Sequence, residues 1–224
     1  MTLKPDLRRA YRGSVLRDGA GKPHGSDVFG SRRRPKPRVR FGPAVLVTWF
    51  GIHAPWVNAD RLTKLVAAEK SDRVQALWSA LASWQARDRR FNRLAGVYAG
   101  SRVDLLTAGN AFQVKRHGED PRFAGSPLRA PANVLRDRDA DVVEPAKLAR
   151  RHRAYRRRVM MGPSYRADMW AALENDASLS AAALARKTYG SFATAWHVRR
   201  DFALIGGTGG GGVHRLGDAP PARR

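Results

Sequence analysis

Residues 178–207 read SLSAAALARKTYGSFATAWHVRRDFALIGG. Two short runs with helical apolar spacing meet at Tyr189, Gly190 and Ser191, and the second run carries the paired Arg199 and Arg200. Either these runs read nucleic acid or they are an ordinary pair of packed helices, and the rest of the interpretation turns on that choice. Ser180 stands where a side chain caps a helix over AAALARKT, whose Ala182, Ala183 and Leu184 allow a neighbouring helix to cross closely. Gly190 supplies a turn, and Ser191 caps a third helix from Phe192 to about Leu204. Upstream, Ser164 caps a first helix through YRADMWAALEND, with Met169, Trp170 and Leu173 as its buried stripe.

At about 100° per residue, the third helix places Ala195, Val198 and Phe202 on one side, with Phe192 and Ile205 at the edges. The opposite side carries Ala193, His197 and Arg200, flanked by Thr194 and Trp196. A helix that enters the major groove needs this division: an apolar face docked on its partners, and an outer face of small, hydrogen-bonding and guanidinium groups. Arg200 is the candidate for a guanine or phosphate contact, His197 and Thr194 for base edges or backbone, and Ala193 for a thymine methyl. Arg199, nearer the core edge, and Lys187, late in the preceding helix, are candidates for phosphate. Beyond the helix, ALIGGTGGGGVHRLGD reads as strand, glycine-rich loop and strand, with His214 or Arg215 placed to touch an adjacent groove.

With these features in this order, residues 164–216 resemble the helix-turn-helix and winged-helix superfamily of bacterial DNA-binding domains. The resemblance covers about a quarter of the chain. It departs from the commonest pattern at Gly190, which sits one place late relative to Ala185. It implies a recognition helix at Phe192–Leu204 and a two-stranded wing after it. The phrase LARKTYGSFATAWHVRRDF is also similar to regulators found beside bacterial toxin–antitoxin nucleotidyltransferases. That likeness implies a DNA-binding module joined to a separate partner-binding domain, a role open to residues 43–143.

Charge bears on the same question. The 224 residues carry 42 Lys and Arg against 19 Asp and Glu, a formal net charge of +23, which points to a polyanionic partner. Residues 1–42 contribute +9, and residues 145–158 hold seven basic and no acidic side chains. The segment 159–224, which contains the quoted stretch, nets only +3, so the total charge does not by itself make that stretch a DNA reader. The absence of cysteine excludes disulfides, thiol nucleophiles and thiolate metal sites. The longest apolar run, Ala44 to Phe50, is far below the roughly 20 residues of a membrane span, and the amino terminus has no signal-peptide core. The expected location is the bacterial cytoplasm, at the nucleoid if DNA is bound.

Residues 1–42 mix Gly, Pro, Ser and Arg without periodicity and read as a disordered basic arm. Arg32, Arg33 and Arg34 either track phosphates or belong to a solvated linker or a misassigned start. Residues 43–143 read as a small α+β domain: AVLVTWF as a buried strand, RLTKLVAAE as a short helix and SDRVQALWSALASWQARDRRFNRLAGVY as a long one. In that long helix Asp88 either pairs with a neighbouring arginine or marks a break. RVDLL and AFQVKR read as a hairpin about Gly109 and Asn110. Residues 144–161 form one Arg-rich helix, with Pro145 in its first turn and Leu148, His152, Tyr155 and Val159 on one stripe. Off that stripe, Arg150, Arg151, Arg153, Arg156, Arg157 and Arg158 are candidate phosphate contacts. The boundary to the 162–216 domain falls at Gly162, Pro163 and Ser164, and residues 217–224 are a disordered tail.

Catalytic chemistry finds little footing. His117, Glu119 and Asp120 sit together in a turn-like stretch, Asp137, Asp139, Asp141 and Glu144 alternate with arginines, and His53 has no partner at ligand spacing. The glycine run at 209–212 lacks the Lys-Ser/Thr of a phosphate loop. The expectation is a mostly helical α+β protein with a carboxyl-terminal, winged helix-turn-helix, non-enzymatic and without cofactor or metal. Double-stranded DNA is its leading partner, with a homodimer or protein partner through residues 43–143. The alternatives are an RNA-binding or ribosome-associated protein and an antitoxin-like protein.

Overall fold

The computed structural model describes residues 42–206. Arg32, Arg33, Arg34, His214, Arg215 and the glycine run at 209–212 therefore lie outside the described residues. Within them the chain is mostly helical, with ten α-helices and one two-stranded sheet. Its apolar side chains gather in two clusters, one built from residues 46–135 and the other from residues 169–198.

The first cluster starts with a correction. AVLVTWF is not a strand; it lies in helix α1, Pro43–His53. Pro43 supplies a pre-set first-turn φ, and the run is apolar on nearly every side, so neither a two-residue nor a 3.6-residue period stands out. Leu46, Val47, Phe50 and His53 are buried at spacings of one, four and seven residues, which places them on one side of the helix. Gly51 lets the Trp84 ring approach: a Cβ there would lie 2.8 Å from Cη2.

A 3₁₀ turn, Ala54–Trp56, leads to α2, Ala59–Ala67, capped by Asn58 Oδ1, which accepts from Arg61 N at 3.1 Å. Helix α3, Asp72–Trp84, buries Val74, Leu77, Trp78 and Leu81. It stops well short of Tyr98. Asp88 lies beyond the break and pairs with Arg90: its carboxylate caps a 3₁₀ turn, Arg89–Phe91, ahead of the short α4, Asn92–Ala95.

The expected hairpin is also replaced. β1, Val103–Asp104, pairs in parallel with β2, Leu128–Arg129, in the register Val103 to Leu128. AFQVKR belongs instead to α5, Asn110–His117, which Gly109 opens with a left-handed φ of 71°. The buried Asn110 amide explains the switch. It accepts from Leu106 N and donates to Asp104 and to the Arg129 carbonyl, closing the sheet where a hairpin strand would have run.

The single Arg-rich helix is two. α6, Pro145–Arg151, and α7, Arg153–Met161, meet at His152, whose backbone is extended. His152 Nδ1 accepts from Tyr155 N at 3.2 Å and so caps α7. The break turns α7 relative to α6: Leu148 and Tyr155 are buried, whereas Val159, expected on the same stripe, is exposed.

Gly162 leads into α8, Tyr165–Asn175, followed by α9, Ala181–Thr188, and α10, Phe192–Gly206, which pack on one another around Met169, Leu173, Leu184, Ala195 and Val198. Ser164, Ser180 and Ser191 each accept the backbone N–H three residues on, at 3.4, 3.2 and 3.1 Å. ALI, expected to begin a wing strand, is the last turn of α10.

Candidate nucleic-acid interface

The turn between α9 and α10 fixes how α10 is displayed. Tyr189, not Gly190, takes the left-handed conformation, with φ 63° and ψ 21°. Gly190 leaves room for a side chain instead: a Cβ there would overlap the Cε of buried Met169, the far end of that side chain. Its N–H donates to the Ala185 carbonyl at 3.1 Å and closes α9. The chain then enters α10 at Ser191, whose hydroxyl also bonds the Thr194 hydroxyl at 2.8 Å.

On α10, Ala195 and Val198 are buried and Phe202 packs against their cluster. Ala193, His197, Arg199 and Arg200 are exposed; Thr194 and Trp196 are half-buried at the rim. Arg199, at the edge of the apolar face, is exposed and so open to a phosphate contact. Phe192 and Ile205, read as edge positions, are exposed as well. The outer groups are partly ordered by one another: the Trp196 and His197 rings meet edge-on at 5.1 Å, and the Arg200 guanidinium lies 5.7 Å from the Trp196 ring centre.

Arg200 donates Nε and Nη2 to Asp201 Oδ1, at 3.2 and 3.0 Å, while Arg166 reaches Asp201 Oδ2 at 2.9 Å. The Arg200 hydrogen bonds, then those of Arg166, hold the Asp201 carboxyl below its usual range. The second guanidinium edge of Arg200, bearing Nη1, carries neither of these bonds. Lys187, at the end of α9, is exposed.

The candidate phosphate contacts divide in two. Arg157 is paired with Glu174, and Arg158 Nε donates to the buried Asp168 at 2.6 Å, so both guanidiniums are engaged internally. Arg153 donates to the Glu174 carbonyl and to Asn175. Arg150, Arg151 and Arg156 are exposed, and no acceptor among the described residues holds them.

Asp168 is the node that sequence reasoning missed. Its carboxylate accepts from Asn58 Nδ2 at 3.1 Å, Arg61 Nη1 at 3.2 Å and Arg158 Nε at 2.6 Å, linking α2, α7 and α8. The sequence signal was weak: an acidic residue within an otherwise apolar helical run, Ala167 to Leu173.

Four of the acidic residues weighed for catalysis are held in ion pairs. Glu119 pairs with Arg102, Asp120 and Asp137 with Arg122, and Asp141 with Arg138. Among the described residues no three His, Asp or Glu side chains converge as a metal site. No described helix is long and apolar enough to cross a membrane. Comparison with known proteins returns no matching family model, no matching curated protein and no matching solved structure.

Proposed function

We propose that this chain is a DNA-binding regulator that lays α10 in the major groove of double-stranded DNA and rests the exposed arginines of α6 and α7 on the phosphates. The observation that carries the reading is the division of α10. Its inner face is sealed against α8 and α9, and its outer face presents Ala193, His197 and Arg200, with Thr194 at one rim and the exposed Arg199 at the other. Those are side chains that suit base edges, a thymine methyl and phosphate oxygens. Arg150, Arg151 and Arg156 add affinity that does not depend on sequence. The role is binding rather than catalysis, and the first 41 residues add positive charge to the same task.

Selection of genomic DNA fragments by the purified protein at about 150 mM salt tests this, because phosphate-only binding is already weakened there. The expected result is an enriched motif that disappears in the Arg199→Ala, Arg200→Ala double variant. Binding without enrichment, or a preference for structured RNA in a parallel selection, would overturn the assignment.

A further inference from the structure

Helix α2 belongs to the first core, yet it reaches the turn that launches α10. Lys64 Nζ donates to the Tyr189 carbonyl at 3.1 Å and stands 4.9 Å from the centre of the Tyr165 ring. One helical turn earlier, the Arg61 guanidinium lies 5.4 Å from the centre of the Tyr189 ring while its Nη1 bonds Asp168. Leu62 and Val66 pack in the first core, so α2 has an apolar side for its own unit and Arg61 and Lys64 for the turn.

The residue they hold is the critical one. Among the described residues Tyr189 is the one non-glycine with a positive φ, a conformation that an L-residue keeps only when its surroundings impose it. A small rotation there would swing the whole of α10, fifteen residues long, because the helix starts three residues later. The same Asp168 that anchors Arg61 also anchors Arg158 on α7, so the turn and the Arg-rich helices refer to one buried carboxylate.

We infer that Arg61 and Lys64 are positioning residues that hold the Tyr189 turn, so that α10 and the arginines of α6 and α7 meet one duplex in a single fixed arrangement. This rests on α10 being the reading helix. Two contact surfaces reinforce each other only when geometry lets both engage at once; a loosened turn leaves phosphate binding intact and lowers discrimination.

The test uses the full chain and Lys64→Met, which removes the donor to the Tyr189 carbonyl but keeps a long stem at an exposed position. Two quantities are read: amide hydrogen exchange at Ser191 to Ala195, with α8 amides as the internal control, and affinity for the selected duplex against a scrambled one. The expected result is about fivefold faster exchange confined to the start of α10 and an about fivefold smaller affinity ratio, the worth of one exposed hydrogen bond. Affinity for the scrambled duplex should hold within about twofold. Unchanged exchange overturns the inference, and so does an equal loss on both duplexes, which would make Lys64 a phosphate contact. If the wild-type chain enriches no sequence, the DNA-reading assignment is what fails. The exchange measurement then decides alone: faster exchange at the start of α10 upholds the restraint on the turn, and wild-type exchange removes it.

Discussion

The Tyr155 hydroxyl donates to His53 Nδ1 at 2.7 Å, joining residues 102 apart and tying α7 to the end of α1. His53 Nε2 lies 3.0 Å from the Val143 carbonyl, which can only accept, so Nε2 carries the proton and Nδ1 takes the phenol's. The ring is fully buried, stacked on Trp49 at 5.2 Å with Trp56 at its edge, and that burial lowers its pKa. Burial likewise raises the Tyr155 phenol. His152 is lowered too, first by burial and then by the Arg158 charge.

A pH dependence follows from the sign of these shifts. Above its unfolded pKa near 6.5 His53 is neutral in both states and imposes no penalty. As pH falls below that value the unfolded chain takes up the proton first, so stability drops until the native pKa is reached, by at most about 1.4 kcal/mol per pH unit for this residue. Denaturant unfolding should therefore show falling stability from about pH 6.5 downward. His53→Gln keeps a donor for Val143 and an acceptor for Tyr155, and its profile should be flatter. A profile as steep as wild type would place the dependence elsewhere.

Asp168 should be the most sensitive single position outside the apolar cores. Its side chain is 2% exposed and neutralises Arg61 and Arg158, each 18% exposed. Asp168→Asn leaves two guanidiniums half-enclosed without their anion, a change that costs on the order of 3 kcal/mol. Unfolding midpoints would measure it. Glu174→Gln, which frees only the more exposed Arg157, should cost much less.

How much of this was legible in advance depends on how local each determinant is. Ser164, Ser180 and Ser191 were readable because a capping hydroxyl and the N–H it accepts lie three residues apart, and the apolar side of α10 followed from spacing within one helix. The conformation of α1 was not, since a short run that is apolar at nearly every position has no period to report. Asn110 turned an expected strand into a helix through bonds to Asp104 and to Arg129, the latter 19 residues away. The Asp168 node joins positions up to 110 residues apart, beyond any local pattern. On the surface of α10 the residue types were legible, but the internal engagement of Arg157, Arg158 and Arg200 was not, because each partner is set by tertiary packing or rotamer choice.

The turn offers a prediction of its own. Gly190 makes room for the Met169 side chain beneath it and has no positive φ of its own, so Gly190→Ala, which must push aside the movable Met169 Cε, should destabilise by about 1 kcal/mol, the low end for an overpacked core. Shortening the obstacle should rescue it. In a Met169→Ala background, itself destabilised by the cavity, the added cost of Gly190→Ala should largely vanish, a non-additivity that a double-mutant cycle on unfolding free energies would detect. Strict additivity would mean that the backbone of the turn, and not the packing, is what rejects the side chain.

The arginines of α6 and α7 separate affinity from stability. Arg150, Arg151 and Arg156 are exposed and bear no ion pair with any described residue, so replacing all three by Ala should leave the unfolding midpoint nearly unchanged. If each neutralises one phosphate, the slope of log binding constant against log salt should flatten by about 0.9 for every phosphate no longer neutralised, nearly 3 in all. Arg157→Ala and Arg158→Ala should do the reverse, lowering stability because Glu174 and the buried Asp168 lose their partners, while changing the slope little. Binding to a scrambled duplex between about 50 and 200 mM salt measures the difference. Equal slopes for the triple variant and wild type would move the phosphate-binding role off α6 and α7 altogether, leaving these helices as support for the Asp168 node.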